Sequence, residues 1–260
     1  MTRKKEQVQI ISQEQLAEGI FSMWIQTEAA KAAKPGQFIS MYTNDGTKLL
    51  PRPISICEID RENGALRVVY RVTGENTGTE QFSRMKEGET LFIVGPLGNG
   101  FPLEKAKRKT AFLMGGGIGV PPILELAKEL DCGKKQIIAG YRDAQTFLRE
   151  EFEKSGELFI STEDGSVGVK GNVLDAVREH GLEADIIYAC GPAPMLRAIK
   201  QYAQDKGIEC YISLEERMAC GIGACLGCVC QTKEKDAHSN VNNKRICKDG
   251  PVFLATEVEI

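Results

Sequence analysis

The chain has 260 residues, of which 42% are hydrophobic, and its 33 basic and 36 acidic residues give a net charge of −3. This length allows two domains with hydrophobic cores, and this charge offers no electrostatic basis for nucleic-acid binding. No stretch approaches the roughly 20 apolar residues of a transmembrane helix, so no membrane association is predicted. The cysteines are odd in number, nine, and crowd toward the end of the chain. This pattern favours metal ligation in a reducing cytoplasm over disulfides.

Residues 1–101 contain short strand-like runs separated by turn signals such as Pro35-Gly36. Because no long helical pattern interrupts these runs, they predict a small antiparallel β-barrel domain. The predicted strands cover residues 8–11, 20–26, 37–42, 54–59, 66–72 and 91–94.

Two clusters in this region have the chemistry of a pyrophosphate site. Arg52 offers a planar, permanently charged fork, and Pro53 fixes the approach of the chain to the next strand. Gly78 and Thr79 precede a predicted helix, where free N–H groups and the helix dipole favour an anion. Each cluster by itself is more typical of a solvated turn, but their order and spacing together favour a shared ligand.

In this order the two clusters resemble the flavin-binding barrel of the ferredoxin–NADP reductase superfamily. The resemblance implies that Arg52, Gly78 and Thr79 bind the pyrophosphate of FAD. It also implies that Ser55 lies near the flavin N5, in a catalytic position. The remaining residues that it places along the flavin are Pro53, Ile54, Val69, Tyr70 and Arg71.

Residues 102–216 alternate between short apolar runs and helix-like segments. This alternation predicts a doubly wound α/β domain with a parallel sheet. The predicted strands cover 110–114, 136–141, 158–162, 185–190 and 210–214, and the predicted helices cover 122–130, 144–152, 172–180 and 195–204.

A glycine-rich loop joins the first strand of this domain to its first helix. Glycines let a backbone approach a pyrophosphate, although tight packing of strand against helix would also require them. A second segment, Cys190-Gly191-Pro192, ends the fourth strand. Together the two segments resemble the nicotinamide nucleotide signatures of the same superfamily, which implies a catalytic position for Cys190 beside the nicotinamide. The implied cofactor-binding residues are Gly115, Gly116, Gly117, Gly119, Cys190, Gly191 and Pro192.

Glu163 and Asp164 follow the third strand of the α/β domain, where the adenosine ribose of a dinucleotide is expected. Carboxylates there accept a hydrogen bond from a 2′-hydroxyl and repel a 2′-phosphate. The pair therefore predicts NADH over NADPH, with a solvated acidic turn as the alternative.

The last segment, 217–260, contains Cys220, Cys225 and Cys228 at C-x4-C-x2-C spacing, followed by Cys247. Four cysteines in this pattern are typical of a plant-type [2Fe-2S] cluster. A zinc site is the alternative, but zinc sites usually contain two C-x2-C pairs. Cys230 could replace Cys228 as a ligand, although the usual spacing favours Cys228. The polar stretch 232–245 is predicted to be a surface loop.

The order of barrel, nucleotide domain and cysteine segment resembles the electron-transfer subunits of NAD-dependent (type B) dihydroorotate dehydrogenases. The resemblance implies FAD, NAD(H) and a [2Fe-2S] cluster, with electron transfer in pyrimidine biosynthesis. The cluster ligands that it implies are Cys220, Cys225, Cys228 and Cys247.

The substrate site itself is expected on another chain. The three segments leave no room for the roughly 250 residues of a (β/α)8 barrel. An FMN-containing catalytic dihydroorotate dehydrogenase subunit is therefore the expected partner, and the family resemblance implies two copies of each subunit. Subunits of sulfhydrogenases and of bifurcating ferredoxin:NAD(P) oxidoreductases are the alternative, and a regulatory module with a structural zinc is a second one.

Overall fold

The fold is seen in a computed structural model of the chain, which describes residues 4–235 and 240–260. Its first unit is built from β1 (Lys4–Ala17), β2 (Ile20–Gln26), β3 (Phe38–Tyr42), β4 (Arg52–Asp60), β5 (Ala65–Arg71), α1 (Gly78–Ser83) and β6 (Thr90–Leu97). The strands form a closed antiparallel barrel in the order β1-β2-β5-β4-β3-β6. The prediction of a six-stranded antiparallel barrel is confirmed.

Alternate residues of β3 serve two different cores, because successive side chains of a strand point to opposite faces. Ile39 and Met41 are fully buried inside the barrel. Phe38 instead packs with Leu97 into the core that extends beneath the cysteine segment. The outer face of β3 therefore joins the barrel to the rest of the molecule.

The second unit is an α/β sheet. Its elements are β7 (Thr110–Gly116), α2 (Pro121–Glu129), β8 (Lys134–Tyr141), α3 (Arg149–Glu153), β9 (Glu157–Thr162), β10 (Val169–Lys170), α4 (Val173–Glu179), β11 (Ile186–Cys190), α5 (Ala193–Lys206) and β12 (Glu209–Ser213). Strands β7 to β12 are all parallel, and their carboxyl ends meet at one edge, as the α/β prediction requires.

The predicted helix over 144–152 is wrong in its first half, since α3 begins at Arg149. The Asp143 carboxylate accepts a hydrogen bond from the N–H of Gln145 at 2.9 Å, and Leu148 has a left-handed φ of 65°. A local side-chain hydrogen bond of this kind competes with helix formation. The segment is therefore a turn that delivers the chain into a short helix.

The cysteine segment is part of the second unit rather than an appendage. It contains β13 (Val229–Gln231), β14 (Asn243–Arg245) and β15 (Val252–Leu254), and β15 pairs antiparallel with β12. The sheet order is thus β10-β9-β8-β7-β11-β12-β15. The surface-loop prediction for 232–245 missed the β13–β14 hairpin that closes this stretch, and residues 236–239 lie outside the described part of the chain.

Buried charges hold α2 against the barrel. Glu58 of β4 bonds both Arg67 of β5 and Lys128 of α2. Glu125 of α2 is 4% exposed and accepts a hydrogen bond from the N–H of Ile59 at 2.9 Å. Burial, reinforced by a hydrogen bond that the protonated Glu125 carboxyl donates to Glu129, raises the pKa of Glu125 to about 8. Among the described helices, none is long and apolar enough to cross a membrane.

Candidate functional site

A cleft of about 510 Å³ opens between the barrel and the segment that follows β12. Its barrel wall contains nearly all residues that the sequence assigned to a flavin, namely Arg52, Pro53, Ile54, Ser55, Val69, Tyr70, Arg71 and Thr79. The opposite wall is formed by residues 213–218. The fold therefore brings together side chains from β4, β5 and α1 that are up to 27 positions apart in the barrel sequence (Arg52 to Thr79).

Arg52 is the first residue of β4 and lies directly over the start of α1. Its Nη1 donates a hydrogen bond to the carbonyl of Leu50 at 2.6 Å. A Cβ at Gly78 would lie 2.9 Å from Arg52 Nε and 3.1 Å from Thr43 Cγ2, so a larger residue would displace the arginine. In the described ranges no carboxylate forms an ion pair with Arg52. Its guanidinium is therefore free to bind a phosphate at this end of the cleft.

Thr79 and Tyr70 contribute to the cleft mainly as parts of its wall. The Thr79 hydroxyl accepts a hydrogen bond from the N–H of Thr73 at 3.2 Å. The Tyr70 hydroxyl donates to Gln13 Oε1 at 2.9 Å, and its ring contacts Phe82 inside the barrel. Burial raises the pKa of Tyr70, so the phenol stays neutral. Both side chains use their polar atoms within the protein.

A second cleft of about 650 Å³ lies at the carboxyl edge of the parallel sheet. Gly116, Gly117, Pro192 and Glu163 line it. Arg71 lines both this cleft and the flavin cleft, so the two share one boundary. Sequence reasoning missed several lining residues, including Gly140, Arg142 and Asn172. Their signal was positional, since Gly140 and Arg142 flank the end of β8 and Asn172 caps α4.

Packing explains two of the loop glycines. A Cβ at Gly119 would lie 2.5 Å from the backbone carbon and oxygen of Cys190. A Cβ at Gly115 would lie 2.8 Å from the Cα of Val120. Because both obstacles are backbone atoms, neither position accepts a side chain. For these two residues the tight-packing alternative accounts for the glycine.

Two of the other glycines, Gly116 and Gly117, line the cleft itself. Gly116 and Gly191 both face Met195, whose side chain would lie 2.4 Å from a Cβ at either position. Gly117 has a φ of 54° and faces the cleft, with Arg71 Nη2 3.6 Å from the position of its Cβ. Its left-handed conformation favours glycine whatever the space around it.

Cys190 ends β11 and is fully buried, and it lines neither cleft. Burial raises the pKa of this thiol, so it is neutral. Its neighbours include Ser213 and Glu215, which do line the flavin cleft. Sequence reasoning missed Glu215. Its side chain is exposed to solvent along the cleft, yet partial desolvation raises the pKa of its carboxyl, and the nearby Arg71 opposes this shift.

The two carboxylates after β9 have different surroundings. Glu163 lines the nucleotide cleft. Asp164 instead accepts hydrogen bonds from the hydroxyl and the N–H of Ser166, at 2.7 Å and 2.9 Å, which lower its pKa. The Asp164 carboxylate is thus part of the turn, as the alternative of an acidic turn describes. Arg142 brings a positive charge to the same cleft.

The four cysteines proposed as cluster ligands form two contacting pairs. Within each pair the backbone N–H of one cysteine donates a hydrogen bond to the sulfur of the other, from Cys225 to Cys220 and from Cys247 to Cys228. Cys220 also lies close enough to Cys247 to affect its ionisation. Within residues 4–235 and 240–260 no three such side chains converge as ligands of one metal ion. Two pairs of thiols fit a cluster of two irons, each held by two residues.

The loop around these cysteines supplies N–H donors to sulfur. Burial opposes ionisation of Cys220, but N–H groups of Ile222 and Cys225 outweigh it and lower the pKa of this thiol to about 6. The N–H of Cys247 donates to Cys228 Sγ at 3.4 Å. Cys230, by contrast, faces the carbonyl of Lys244 across the β13–β14 hairpin.

A single stretch of chain joins the flavin cleft to the cysteine loop. Residues 213–218 form one wall of the cleft, and Cys220 follows two positions later. Met218 is buried in the same core as Phe38, Cys228 and Cys247. A flavin in the cleft and a cluster on these cysteines would be neighbours, with protein packed between them.

Comparisons with known proteins agree with this arrangement. Residues 215–259 match the model of the iron–sulfur cluster binding domain of dihydroorotate dehydrogenase B. The chain is 45% identical over 256 residues to the dihydroorotate dehydrogenase B (NAD(+)) electron transfer subunit of Fusobacterium nucleatum, covering 95% of each chain. It is 43% identical to the subunit of the same name from Caldanaerobacter subterraneus, covering 98% of this chain and 99% of the relative.

Two solved structures are similar in fold. The structure of an NADH-dependent reduced ferredoxin-NADP oxidoreductase, described for flavin-based electron bifurcation, has a TM-score of 0.84 at 30% identity, covering 97% of this chain and 89% of that one. The ferredoxin NADP+ reductase from Neisseria gonorrhoeae, with bound FAD and NADP, has a TM-score of 0.67 at 15% identity, covering 83% and 95%. The second likeness concerns the fold.

Proposed function

Because the chain belongs to the family of dihydroorotate dehydrogenase B (NAD(+)) electron transfer subunits, we propose that it transfers electrons between NAD(H) and a catalytic dihydroorotate dehydrogenase subunit in pyrimidine biosynthesis. FAD and a [2Fe-2S] cluster are its cofactors. The observation that carries the proposal is the continuity of residues 213–218 from the flavin cleft to Cys220. This continuity keeps the two redox sites adjacent within one chain.

We assign the flavin to the barrel cleft. Arg52 holds the pyrophosphate, with the backbone at Gly78 and Thr79 beside it. Ser55 and Ile54 lie along the flavin wall, and the buried strand β5 forms its base. When bound, a flavin exchanges electron pairs with a nicotinamide and single electrons with an iron–sulfur cluster. The protein contributes binding, orientation and exclusion of water.

We assign the cluster to the two cysteine pairs, Cys220 with Cys225 and Cys228 with Cys247. Backbone N–H groups stabilise the thiolate of Cys220 in advance of metal binding. Cys225 is exposed, and so are the apolar side chains of Ile222 and Leu226 beside it. This edge of the loop supports electron exit toward a partner.

We assign the nicotinamide nucleotide to the second cleft. Gly117 lets the backbone approach the pyrophosphate, and Pro192 and Arg71 line the path toward the flavin. Glu163 favours the 2′-hydroxyl of NADH. Asp164 contributes to nucleotide binding indirectly, through the turn that its carboxylate caps. The buried, neutral Cys190 supports the cleft boundary from behind.

The partner that we propose is an FMN-containing catalytic subunit, in an assembly of two copies of each chain. We divide this chain into the barrel, 1–101, the nucleotide domain, 102–216, and the cluster segment, 217–260, whose strand β15 completes the sheet of the nucleotide domain. A reducing cytoplasm suits the nine unpaired cysteines of the described residues.

The test is anaerobic capture of the tagged chain from its own cells. We expect a stoichiometric FMN subunit, and reduction of NAD+ when dihydroorotate is added. In the reverse direction, NADH should reduce the flavin faster than NADPH does. Equal or faster reduction by NADPH would contradict the role of Glu163.

The similarity to the ferredoxin-NADP oxidoreductase structure defines the outcome that would redirect the proposal. Capture of a second flavoprotein or of a hydrogenase, without dihydroorotate-dependent NADH formation, would retain electron transfer and overturn the pathway. A colourless chain that binds zinc would overturn the redox function itself.

A further inference from the structure

Ser40 lies in the middle of β3, on the same face of the strand as Phe38 and beneath the cysteine loop. It is 1% exposed, and its Oγ has no hydrogen-bond partner among the described residues. Folded proteins rarely keep a buried hydroxyl without an acceptor, because water would have bonded to it in the unfolded chain. An unpartnered hydroxyl at this position therefore requires an explanation.

The neighbours of Ser40 connect the flavin cleft to the cysteine loop. Its cross-strand partner in β4 is Pro53, which lines the flavin cleft. On the other side, a Cβ at Gly221 would lie 2.8 Å from Ser40 Oγ and 3.3 Å from Leu97 Cδ1. Since Gly221 directly follows Cys220, the hydroxyl is packed against the residue next to a proposed cluster ligand.

The loop above Ser40 is already built to donate hydrogen bonds to sulfur. The N–H groups of Ala224 and Cys225 donate to Cys220 Sγ at 3.3 Å and 3.4 Å. These donors approach from the loop, whereas Ser40 approaches from the barrel. The flavin-binding unit therefore places an unpartnered hydroxyl at the base of the cluster loop.

We propose that the Ser40 hydroxyl donates a hydrogen bond to a sulfur of the bound cluster, with the Cys220 thiolate as the adjacent ligand, and thereby raises the reduction potential of the cluster. Cluster sulfurs are anionic acceptors, and hydrogen bonds to them are one of the means by which proteins set the potential. Reduction adds one negative charge, so the reduced cluster gains more from the donor than the oxidised one. The inference rests on the cluster assigned above.

The test compares Ser40→Ala with wild type in the full chain, loaded with cluster under anaerobic conditions. A redox titration followed by electron paramagnetic resonance gives the cluster potential. We expect the equilibrium constant for cluster reduction to fall about tenfold, which is about 59 mV for one electron. The flavin potential should stay unchanged, and Ser40→Cys, whose thiol is a weak donor, should shift the cluster less.

Ser161→Ala is the matched control. Ser161 is also fully buried with an unpartnered Oγ, but it lies in β9 of the nucleotide domain. Its removal should leave the cluster potential unchanged. If Ser40 merely fills space, Ser40→Ala will match this control, and the inference is overturned.

Two further measurements separate the remaining outcomes. Iron and sulfide analysis of the wild-type chain tests the cluster itself, and their absence would overturn the proposed function together with this inference. A loaded wild type with an unshifted Ser40→Ala potential would overturn the role of Ser40 and leave the function intact. In the metal-free chain the Ser40 hydroxyl has no partner, so Ser40→Ala should unfold at the same temperature as wild type. If Ser40→Ala instead loses as much stability without metal as it does with the cluster bound, the role of Ser40 is purely structural.

Discussion

Replacing Arg52 with alanine is expected to weaken FAD binding roughly 100-fold while the chain stays folded. One guanidinium N–H of Arg52 bonds the Leu50 carbonyl, and no carboxylate in the described residues competes for the others. Two hydrogen bonds to a phosphate at about 1.5 kcal/mol each give about 3 kcal/mol, or roughly two powers of ten in affinity. Arg52→Lys keeps the charge but loses the two-pronged geometry, so it should lose about tenfold.

The assay is titration of the flavin-free chain with FAD, followed by quenching of flavin fluorescence. Arg84→Ala is the control, because the Arg84 side chain is 74% exposed and its ion pair with Glu80 lies on the neighbouring helix α1. This variant should bind FAD as wild type does. Thermal unfolding of each flavin-free variant checks that the barrel is intact. An Arg52→Ala chain that binds FAD within twofold of wild type would refute the assignment of the pyrophosphate site.

Three further predictions follow from the cluster loop, the glycine loop and the α2 interface. Cys225→Ser should abolish cluster absorbance and electron transfer to the partner but spare flavin reduction by NADH. Cys230→Ser, the control, should retain the cluster. If Cys225→Ser lost flavin reduction as fully as electron transfer to the partner, the flavin and cluster sites would not be separate. Gly119→Ala should destabilise the chain by about 3 kcal/mol or more in denaturant unfolding, because its Cβ would lie 2.5 Å from backbone atoms. Gly181→Ala is the control, since nothing lies within 4 Å of its Cβ. It should show only the smaller cost of its left-handed φ. The folded chain retains the Glu125 proton between an ordinary pKa of 4.5 and about 8, where the unfolded chain releases it. Stability should therefore fall as pH rises through this window, by at most about 1.4 kcal/mol per pH unit, and Glu125→Gln should flatten that decline; an unchanged slope would contradict the raised pKa.

Many features of the fold and of the cofactor sites could be predicted from the sequence, because they depend on local chemistry. Short strand-like runs separated by turn signals such as Pro35-Gly36 predicted a barrel before any contact was known. The spacing of Cys220, Cys225 and Cys228 reflects how far a glycine-rich loop reaches around a cluster. These features depend on residues close together in the chain, so their pattern survives without the fold.

Other features exist only because distant segments meet. Gly119 and Gly117 belong to one glycine-rich loop. Close packing against the backbone of Cys190 requires glycine at the first position, whereas the second faces a cleft. Glu163 and Asp164 are adjacent in sequence, but the Glu163 carboxylate lines the cleft, whereas the Asp164 carboxylate is hydrogen-bonded within a turn. Sequence patterns do not separate such pairs.

The pairing of β15 with β12 and the position of Ser40 beneath Gly221 show the same limit most clearly. Both join residues separated by about 40 to 180 positions, and neither carries a spacing rule that a sequence could reveal. Both contacts depend on burial, because a side chain is desolvated wherever the fold covers it, whatever residues are next to it in the chain. The sequence by itself therefore determined which cofactors this protein is built to hold. The tertiary structure decided which groups surround them.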